Sequence, residues 1–371
     1  RQTYEEYFAR IKSGDPSKLV VIIDEAQFVA KRDTSFMEAV AKLKKHKLYP
    51  GPVLIILATS STVWATQEAA EQFKGAEMKL ESLNFLEVVR HFESLPVAEI
   101  VRIYGAIGGV PAYLDKWDAA KSFKDNICRL VLTPSGALYG EADAVISSEL
   151  RELSAYSTIL AAIARGENKL NDIFHATGFS RAKISVYLKN LAAFNIVEKV
   201  VSFETGGWEN AKKGVYQIKD TFVNFWFKFV YPNMSNLYLL SPEEFYDTYI
   251  EKELDAYLER YFREVCTEYL LILNQMGQLP FTIKRVGTWI GKTGRIDIVA
   301  QSEDRRSIIG FCNWDKPMMT MDMCENMAMA MEQARLTSDD YYLFSATDFE
   351  PALQSYVVRD PRFKLINMNE L

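Results

Sequence analysis

The sequence predicts a multidomain α/β protein, and the prediction is based on three stretches of its 371 residues. Two short apolar runs, at 19–24 and 53–59, flank an amphipathic segment, which is the pattern of a strand–helix–strand crossover. Residues 151–219 have the pattern of three helices followed by two strands. Beyond residue 280, short β-branched runs alternate with helical segments, which favours a second α/β domain.

Composition limits the class of protein. With 49% hydrophobic and 25% charged residues, the chain can bury two or three cores. The net charge of −6 argues against a protein that coats nucleic acid through bulk charge. No apolar run has transmembrane length, so we expect no membrane partner and a cytoplasmic location. The four cysteines are scattered among only three histidines, so neither a zinc site nor a disulfide framework is expected.

The first apolar run, Leu19-Val20-Val21-Ile22-Ile23, ends in Asp24-Glu25. It has the composition of a strand buried on both faces in a parallel sheet. Ligands of open α/β sheets bind at the carboxyl ends of the strands, where these two acids fall. There Asp24 would hold Mg²⁺ on a nucleotide phosphate, and Glu25 would orient or deprotonate water. The alternative is a core strand that runs into an acidic turn.

A helix at 34–47 and a second apolar strand at 53–59, which runs into Ser60-Ser61, follow this strand. A crossover of this kind joins parallel strands, so the two runs should pair in parallel. Residues 84–150 look helical and are interrupted by Gly108-Gly109-Val110-Pro111. These glycines either approach a nucleotide closely or form a helix-breaking turn.

Three helices and a hairpin within 151–219 predict a winged helix-turn-helix. Its third helix begins after Ser180, a good N-cap, and stands in the recognition position. One interpretation is contact with double-stranded DNA through the helix and the loop of the hairpin. The candidate residues are Arg181, Lys183, Lys189 and Asn190 on the helix, and Lys212 and Lys213 in the loop. The alternative is a winged helix that contacts proteins.

The C-terminal part is predicted to contain a helical stretch to about residue 275 and strands near 282–286, 296–300 and 308–313. A helix at 321–336, a strand at 341–345 and a terminal helix and strand complete it. Met323, Met327 and Met331 lie one helical turn apart. They form either a plastic interaction surface or, as the favoured interpretation, a core-facing stripe.

Taken together, these segments resemble the archaeal-type ATPases of the AAA+/STAND kind. The resemblance covers nearly the whole chain, and its markers occur in the family's order. They are Ile22-Ile23-Asp24-Glu25, Ala58-Thr59-Ser60-Ser61, Tyr104-x-x-x-Gly108-Gly109-Val110-Pro111-x-Tyr113-Leu114, the winged helix, and Arg295-Ile296-Asp297-Ile298-Val299-Ala300.

The resemblance implies a partial P-loop NTPase parallel sheet at 1–83 and a helical lid at 84–150. A winged helix at 151–232 and an α/β restriction-endonuclease-like domain of the PD-(D/E)xK type at 233–371 would follow. Asp24 and Glu25 would form the Walker B motif, with ATP and Mg²⁺ as cofactors. Thr59 or Ser60 would be the sensor of the γ-phosphate.

The phosphate-cradling motif G-x-x-x-x-G-K-[ST] is absent from the sequence. In proteins that contain this motif, its backbone N–H groups and its lysine make most of the contacts with the phosphates. We therefore expect the natural protein to carry a further N-terminal segment, and this chain to bind nucleotide weakly or not at all.

The nuclease-like domain departs further from the family pattern. The family's second-strand acid is present as Asp297, but its E-x-K motif is replaced by Phe311-Cys312-Asn313. Arg263 occupies the position of the upstream helix glutamate. One carboxylate cannot build a two-metal site, so an inactive nuclease domain is expected.

The resemblance implies a protein that binds and hydrolyses ATP and acts as a nucleotide-dependent switch. Two other classes of function are possible. One is a non-enzymatic scaffold that binds DNA, another protein or a second copy of itself. The other, an active nuclease, predicts Mg²⁺-dependent cleavage that Asp297→Ala abolishes, and no cleavage is expected.

Overall fold

The computed structural model describes residues 3–11, 18–44, 52–61, 63–73, 75–147, 150, 152–203, 214–291 and 294–371. The chain divides into two compact units, Arg1–Leu80 and Glu81–Leu371. The fold is mixed α/β, with helices that accompany several small sheets.

The first unit contains the predicted strand–helix–strand arrangement. Its elements are α1 (Tyr4–Ala9), β1 (Leu19–Ile23), α2 (Ala26–Ala30), α3 (Thr34–Lys44), β2 (Val53–Leu57), a π-helix (Trp64–Ala69) and α4 (Ala70–Phe73). Strands β1 and β2 pair in parallel, with Leu19 opposite Val53 and Ile23 opposite Leu57. The predicted parallel pairing is therefore confirmed.

Within the first unit, the described residues cover only one face of this two-stranded sheet. Leu19 and Val21 of β1 join a core with Phe36, Val40 and other residues of the first unit. The alternate side chains point to the opposite face. There Ile22 is 67% exposed, and Val20, Leu54 and Ile56 are exposed as well. The prediction that the strands are buried on both faces is wrong here, because no described element of the first unit packs on the second face.

The second unit begins with a helical region. Its elements are α5 (Phe85–His91), α6 (Val97–Ile107), α7 (Pro111–Leu114), α8 (Phe123–Ile127), a π-helix (Cys128–Leu132) and α9 (Glu141–Ser147). Gly108 ends α6 with φ of 68°, a backbone conformation that favours glycine. At Gly109 an added Cβ would lie 1.9 Å from the carbonyl oxygen of Leu83. The two glycines thus form a helix-breaking turn packed against neighbouring backbone.

Three helices and a two-stranded antiparallel sheet follow, in the predicted order. They are α10 (Leu153–Ala164), α11 (Leu170–Thr177), α12 (Arg181–Ala193), β3 (Val197–Val200) and β4 (Val215–Ile218). The Ser180 side chain accepts a hydrogen bond from the backbone N–H of Lys183, which confirms it as the N-cap of α12. Residues 204–213, including the predicted loop lysines, lie outside the described residues.

An aromatic linker leads into the longest described helix. The elements are α13 (Thr221–Phe225), a π-helix (Trp226–Val230), a 3-10 turn (Tyr231–Asn233), α14 (Met234–Leu237), α15 (Pro242–Tyr249) and α16 (Glu251–Gln275). Glu268 of α16 accepts hydrogen bonds from the backbone N–H groups of Phe85 and Leu86, at 3.0 and 3.1 Å. A carboxylate thus caps the start of α5, which ties the two helices together. None of the described helices combines the length and apolar character needed to cross a membrane.

A five-stranded sheet in the order β11-β9-β7-β6-β5 forms the C-terminal part. The elements are β5 (Arg285–Ile290), β6 (Arg295–Gln301), β7 (Ser307–Asn313), β8 (Met318–Met319), α17 (Met321–Ala334), β9 (Asp340–Ser345), β10 (Asp348–Phe349), α18 (Pro351–Arg359), β11 (Phe363–Asn367) and a final 3-10 turn (Met368–Glu370). Met327 and Met331 of α17 are buried, and Met323 packs against the same core. The favoured interpretation of these methionines as a core stripe is confirmed.

Candidate functional site

The carboxyl ends of β1 and β2 bring together polar residues that the sequence places 35 positions apart. The Ser60 hydroxyl donates to Glu25 Oε2 at 3.0 Å, and the Ser60 backbone N–H reaches the same oxygen at 3.3 Å. The parallel register makes this possible, because both strands end at one edge of the sheet. We call Asp24, Glu25, Gln27, Thr59 and Ser60 the strand-end site.

Gln27 lies at the centre of this site, and the sequence analysis did not single it out. Its side chain is only 1% exposed. Its amide nitrogen donates to Glu25 Oε2 and to Ser60 Oγ, while its amide oxygen accepts a 2.6 Å bond from the Thr59 hydroxyl. Gln27 is the one polar residue in the apolar stretch 26–30. That was the available signal, because a buried amide needs hydrogen-bond partners.

Glu25 is held in an unusual backbone conformation. It caps the start of α2 with φ of 47° and ψ of 43°, a left-handed region that non-glycine residues seldom adopt. The hydrogen bond from Gln27 lowers the pKa of Glu25 below its ordinary value of 4.5, with Ser60 adding to the effect and burial opposing it. Glu25 is therefore an oriented, ionised carboxylate. Strained residues of this kind concentrate at functional sites.

Asp24 differs from Glu25 because its side chain is exposed. Its Oδ1 accepts a hydrogen bond from the Glu25 backbone N–H at 3.0 Å, which leaves Oδ2 for a ligand. Mg²⁺ on a nucleotide needs only one or two protein carboxylates, because phosphate oxygens and water complete its shell. The donor set fits that use. No cluster of three or more metal-ligating side chains occurs among the residues that the structure describes.

The candidate residues of α12 separate into two groups. Arg181 and Lys189 are exposed, as a nucleic-acid contact requires. Lys183 is half-buried, with its ammonium 4.4 Å from the ring centre of Phe179. Asn190 turns inward and donates to the Tyr156 hydroxyl at 2.8 Å. Lys212 and Lys213 lie outside the described residues.

Asp297 lies at the centre of a second charged cluster, in the C-terminal part. Its carboxylate is almost fully buried and contacts Arg263 Nη1 at 3.4 Å and Arg295 Nε at 2.8 Å. The backbone N–H of Cys312 donates to its second oxygen at 3.1 Å. Burial lowers the pKa of Arg263, and the like charge of Arg295 adds to that effect. We call Asp297, Arg263 and Arg295 the closed carboxylate site.

The other two residues of the predicted degenerate nuclease site lie elsewhere. Phe311 packs with the core cluster that contains Val299 and Ile309. Asn313 is 2% exposed and donates to Ser345 Oγ at 3.1 Å. The structure thus gathers Arg263 and Asp297, but it does not gather Phe311 or Asn313 around them. Two guanidinium groups occupy the surroundings of the carboxylate that a metal would need.

Three comparisons relate this chain to known proteins. Residues 226–335 match the model of the family DUF234, described as archaeal and bacterial proteins of unknown function. An uncharacterized protein of Methanocaldococcus jannaschii is 27% identical over 355 residues, which cover 93% of this chain and 78% of that protein. The crystal structure of protein VC1899 from Vibrio cholerae aligns over 95% of this chain and 88% of its own, at 10% identity and a TM-score of 0.24. The chain is therefore similar to a distant archaeal protein along nearly all its length.

Proposed function

We propose that this chain is the greater part of an ATP-binding switch protein of the archaeal ATPase kind, with the strand-end site as its hydrolytic centre. The observation that carries the proposal is the contact between Glu25 and Ser60 at the ends of two parallel strands. It gathers a strained, ionised glutamate, an exposed aspartate and two hydroxyl groups at the edge where α/β sheets bind ligands.

Each residue has a role that its environment suits. Asp24, exposed beside Glu25, would hold the Mg²⁺ that neutralises phosphate charge. Glu25 would orient the attacking water, since its carboxylate is ionised and its position is set by Gln27 and Ser60. Thr59 and Ser60 would contact the terminal phosphate, and such a contact would compete with their bonds to Gln27 and Glu25. Phosphate binding would then change the network at the strand ends, which is the property of a switch.

The same proposal assigns each part of the fold to a domain of this kind of ATPase. The parallel pair β1–β2 would be part of a P-loop NTPase sheet, and α5–α9 would be its lid. Helices α10–α12 with the antiparallel pair β3–β4 would be a winged helix. The C-terminal part, with the five-stranded sheet β11-β9-β7-β6-β5, would be a nuclease-like domain that no longer cuts, because arginines take the place of a metal at Asp297.

The proposal is tested on the protein produced from its whole gene, with ATP binding and hydrolysis measured separately. Asp24→Asn should abolish hydrolysis, and Glu25→Gln should keep ATP binding while turnover falls about a hundredfold or more. Glu38→Gln changes an exposed carboxylate of α3 in the same way and is the matched control. Unchanged turnover in both site variants would refute the proposal.

The second candidate is a non-enzymatic scaffold that binds duplex DNA. The exposure of Arg181 and Lys189 on α12, which begins at a capped Ser180, favours it. This function requires no nucleotide.

It is tested by fluorescence anisotropy of a DNA duplex titrated with this chain at several salt concentrations. Removal of one phosphate contact by Lys189→Ala should weaken binding and reduce the salt slope by about one. Lys252→Ala, at an exposed lysine of α16, is the control and should change neither. Binding that ignores salt would count against phosphate contacts.

A further inference from the structure

A cavity of about 280 Å³ lies within the second unit, where β4, the aromatic linker and α16 meet. Asn224 and Lys228 of the linker form one wall, and Tyr257 and Arg260 of α16 form another. The end of α10 and the turn after it close the remaining side with Asn168. Gln217 and Glu253 add polar groups to the lining, and apolar residues such as Ile163 and Ala256 complete it, so the cavity offers both polar and apolar surface.

The charged groups of this cavity already have partners. The Lys228 ammonium pairs with Glu253 at 2.6 Å. The Arg260 guanidinium donates to the Ile218 carbonyl and to Glu264, both at 2.8 Å. A ligand with net charge would therefore find no unpaired counter-charge in the cavity. Burying an unpaired charge is costly.

The unused hydrogen-bonding capacity belongs to neutral groups. Asn224 donates to the Tyr261 hydroxyl at 2.8 Å, but within the described residues its Oδ1 accepts no hydrogen bond. In the same described part, the side-chain amide of Asn168 and the hydroxyl of Tyr216 have no hydrogen-bond partner. Burial raises the pKa of Tyr216, so its hydroxyl stays protonated. Amide oxygens, amide N–H groups and hydroxyls are donors and acceptors for an uncharged polar ligand.

We propose that this cavity binds an uncharged nucleobase or nucleoside. Primary amides form paired hydrogen bonds with the edges of nucleobases, and the ring of Tyr216 in the lining supplies stacking surface. The volume is at the lower limit for sites of small organic ligands. It suits a nucleoside better than a nucleoside triphosphate. This site is separate from the strand-end site, which lies in the other unit.

The test is isothermal titration of the full chain with adenosine, guanosine, cytidine and uridine, each alone. At least one should bind saturably. Asn224→Leu and Asn168→Ala should each weaken that binding by about tenfold, the expected loss for a paired amide contact. Asn236→Leu is the matched control, because Asn236 also donates to a tyrosine hydroxyl, at 2.7 Å, but lies outside the cavity lining.

Three results would overturn the proposal. They are the absence of saturable binding for all four nucleosides, equal affinity in both cavity variants and the wild type, and equal loss in the Asn236 control. Asn168→Ala separates a loss of binding from a loss of folding. Asn168 is half-exposed and its side chain has no described partner, so this variant should fold as the wild type does. If a nucleoside binds both cavity variants as tightly as it binds the wild type, the ligand lies elsewhere, and the cavity proposal fails while the proposed ATPase function stands.

Discussion

The strand-end site and the closed carboxylate site use the same side-chain chemistry in opposite ways. At the strand ends, neutral donors from Gln27 and Ser60 orient Glu25, and Asp24 beside it is exposed. In the C-terminal part, two arginines contact Asp297, whose side chain is 3% exposed. The strand-end site therefore has a negative charge that can attract a cation from solution. The closed carboxylate site neutralises the charge with the protein's own cations.

The contrast between the two sites shows how a carboxylate site closes. A carboxylate oriented by neutral hydrogen bonds retains its full charge, so Mg²⁺ with a phosphate ligand is attracted to it. A carboxylate paired with guanidinium groups offers an incoming metal no net charge, and the metal would have to displace a partly buried Arg263. Burial and counter-charge, more than the presence of an acid, separate the two sites.

The largest expected effect is on stability at the closed carboxylate site. Asp297→Ala should lower the free energy of unfolding by about 3–5 kcal/mol, because it leaves the Arg263 charge buried without its partner. Urea unfolding followed by circular dichroism measures the loss. Asp24→Ala, at an exposed carboxylate, is the control and should stay within about 0.5 kcal/mol of the wild type. Equal losses in the two variants would contradict the contrast between the sites.

Gln27→Leu tests the neutral framework of the strand-end site. The variant should lower the free energy of unfolding by about 1–3 kcal/mol, since Thr59 and Ser60 lose a buried hydrogen-bond partner. Thermal and urea unfolding measure it. Gln67→Leu, at an exposed glutamine of the same unit, should have little effect. A neutral Gln27→Leu variant would show that the amide does not hold the network.

Arg295→Gln separates the contributions of the two arginines at Asp297. The Arg295 side chain is 45% exposed against 15% for Arg263, so water screens its ion pair. The free energy of unfolding should fall by about 1 kcal/mol or less, well below the loss in Asp297→Ala. A loss as large as that of Asp297→Ala would mean that Arg295, and not Arg263, closes the site.

The smallest effect is the pH dependence that Glu25 contributes. Because folding lowers the pKa of Glu25 from 4.5, its stabilisation is fully present above that value and is lost as pH falls through the lowered pKa. The stability difference between the wild type and Glu25→Gln should therefore shrink on acidification below pH 4.5. The difference should be about 0.5 kcal/mol or less, since the carboxylate is only partly buried. A difference that grows on acidification would reverse the sign of the linkage.

Much of the fold follows from short-range patterns in the sequence. Apolar runs located β1 and β2, the helix between them predicted their parallel pairing, and Ser180 marked the start of α12. The pattern failed at the open face of the first sheet. An apolar strand has the same composition whether or not another element covers it.

The sequence by its own patterns located most of the helices and strands and the carboxylates at strand ends, because periodicity and capping act between residues a few positions apart. It placed the strand observed at Arg285–Ile290 near 282–286 and gave no sign of β8 or β10. The three-dimensional fold was needed to show that Gln27 turns inward to join Glu25 and Thr59, that Asn190 turns toward Tyr156, and that Arg263 contacts Asp297. Those outcomes depend on burial and on hydrogen bonds between distant residues. Such contacts form only when the chain brings those residues together in space.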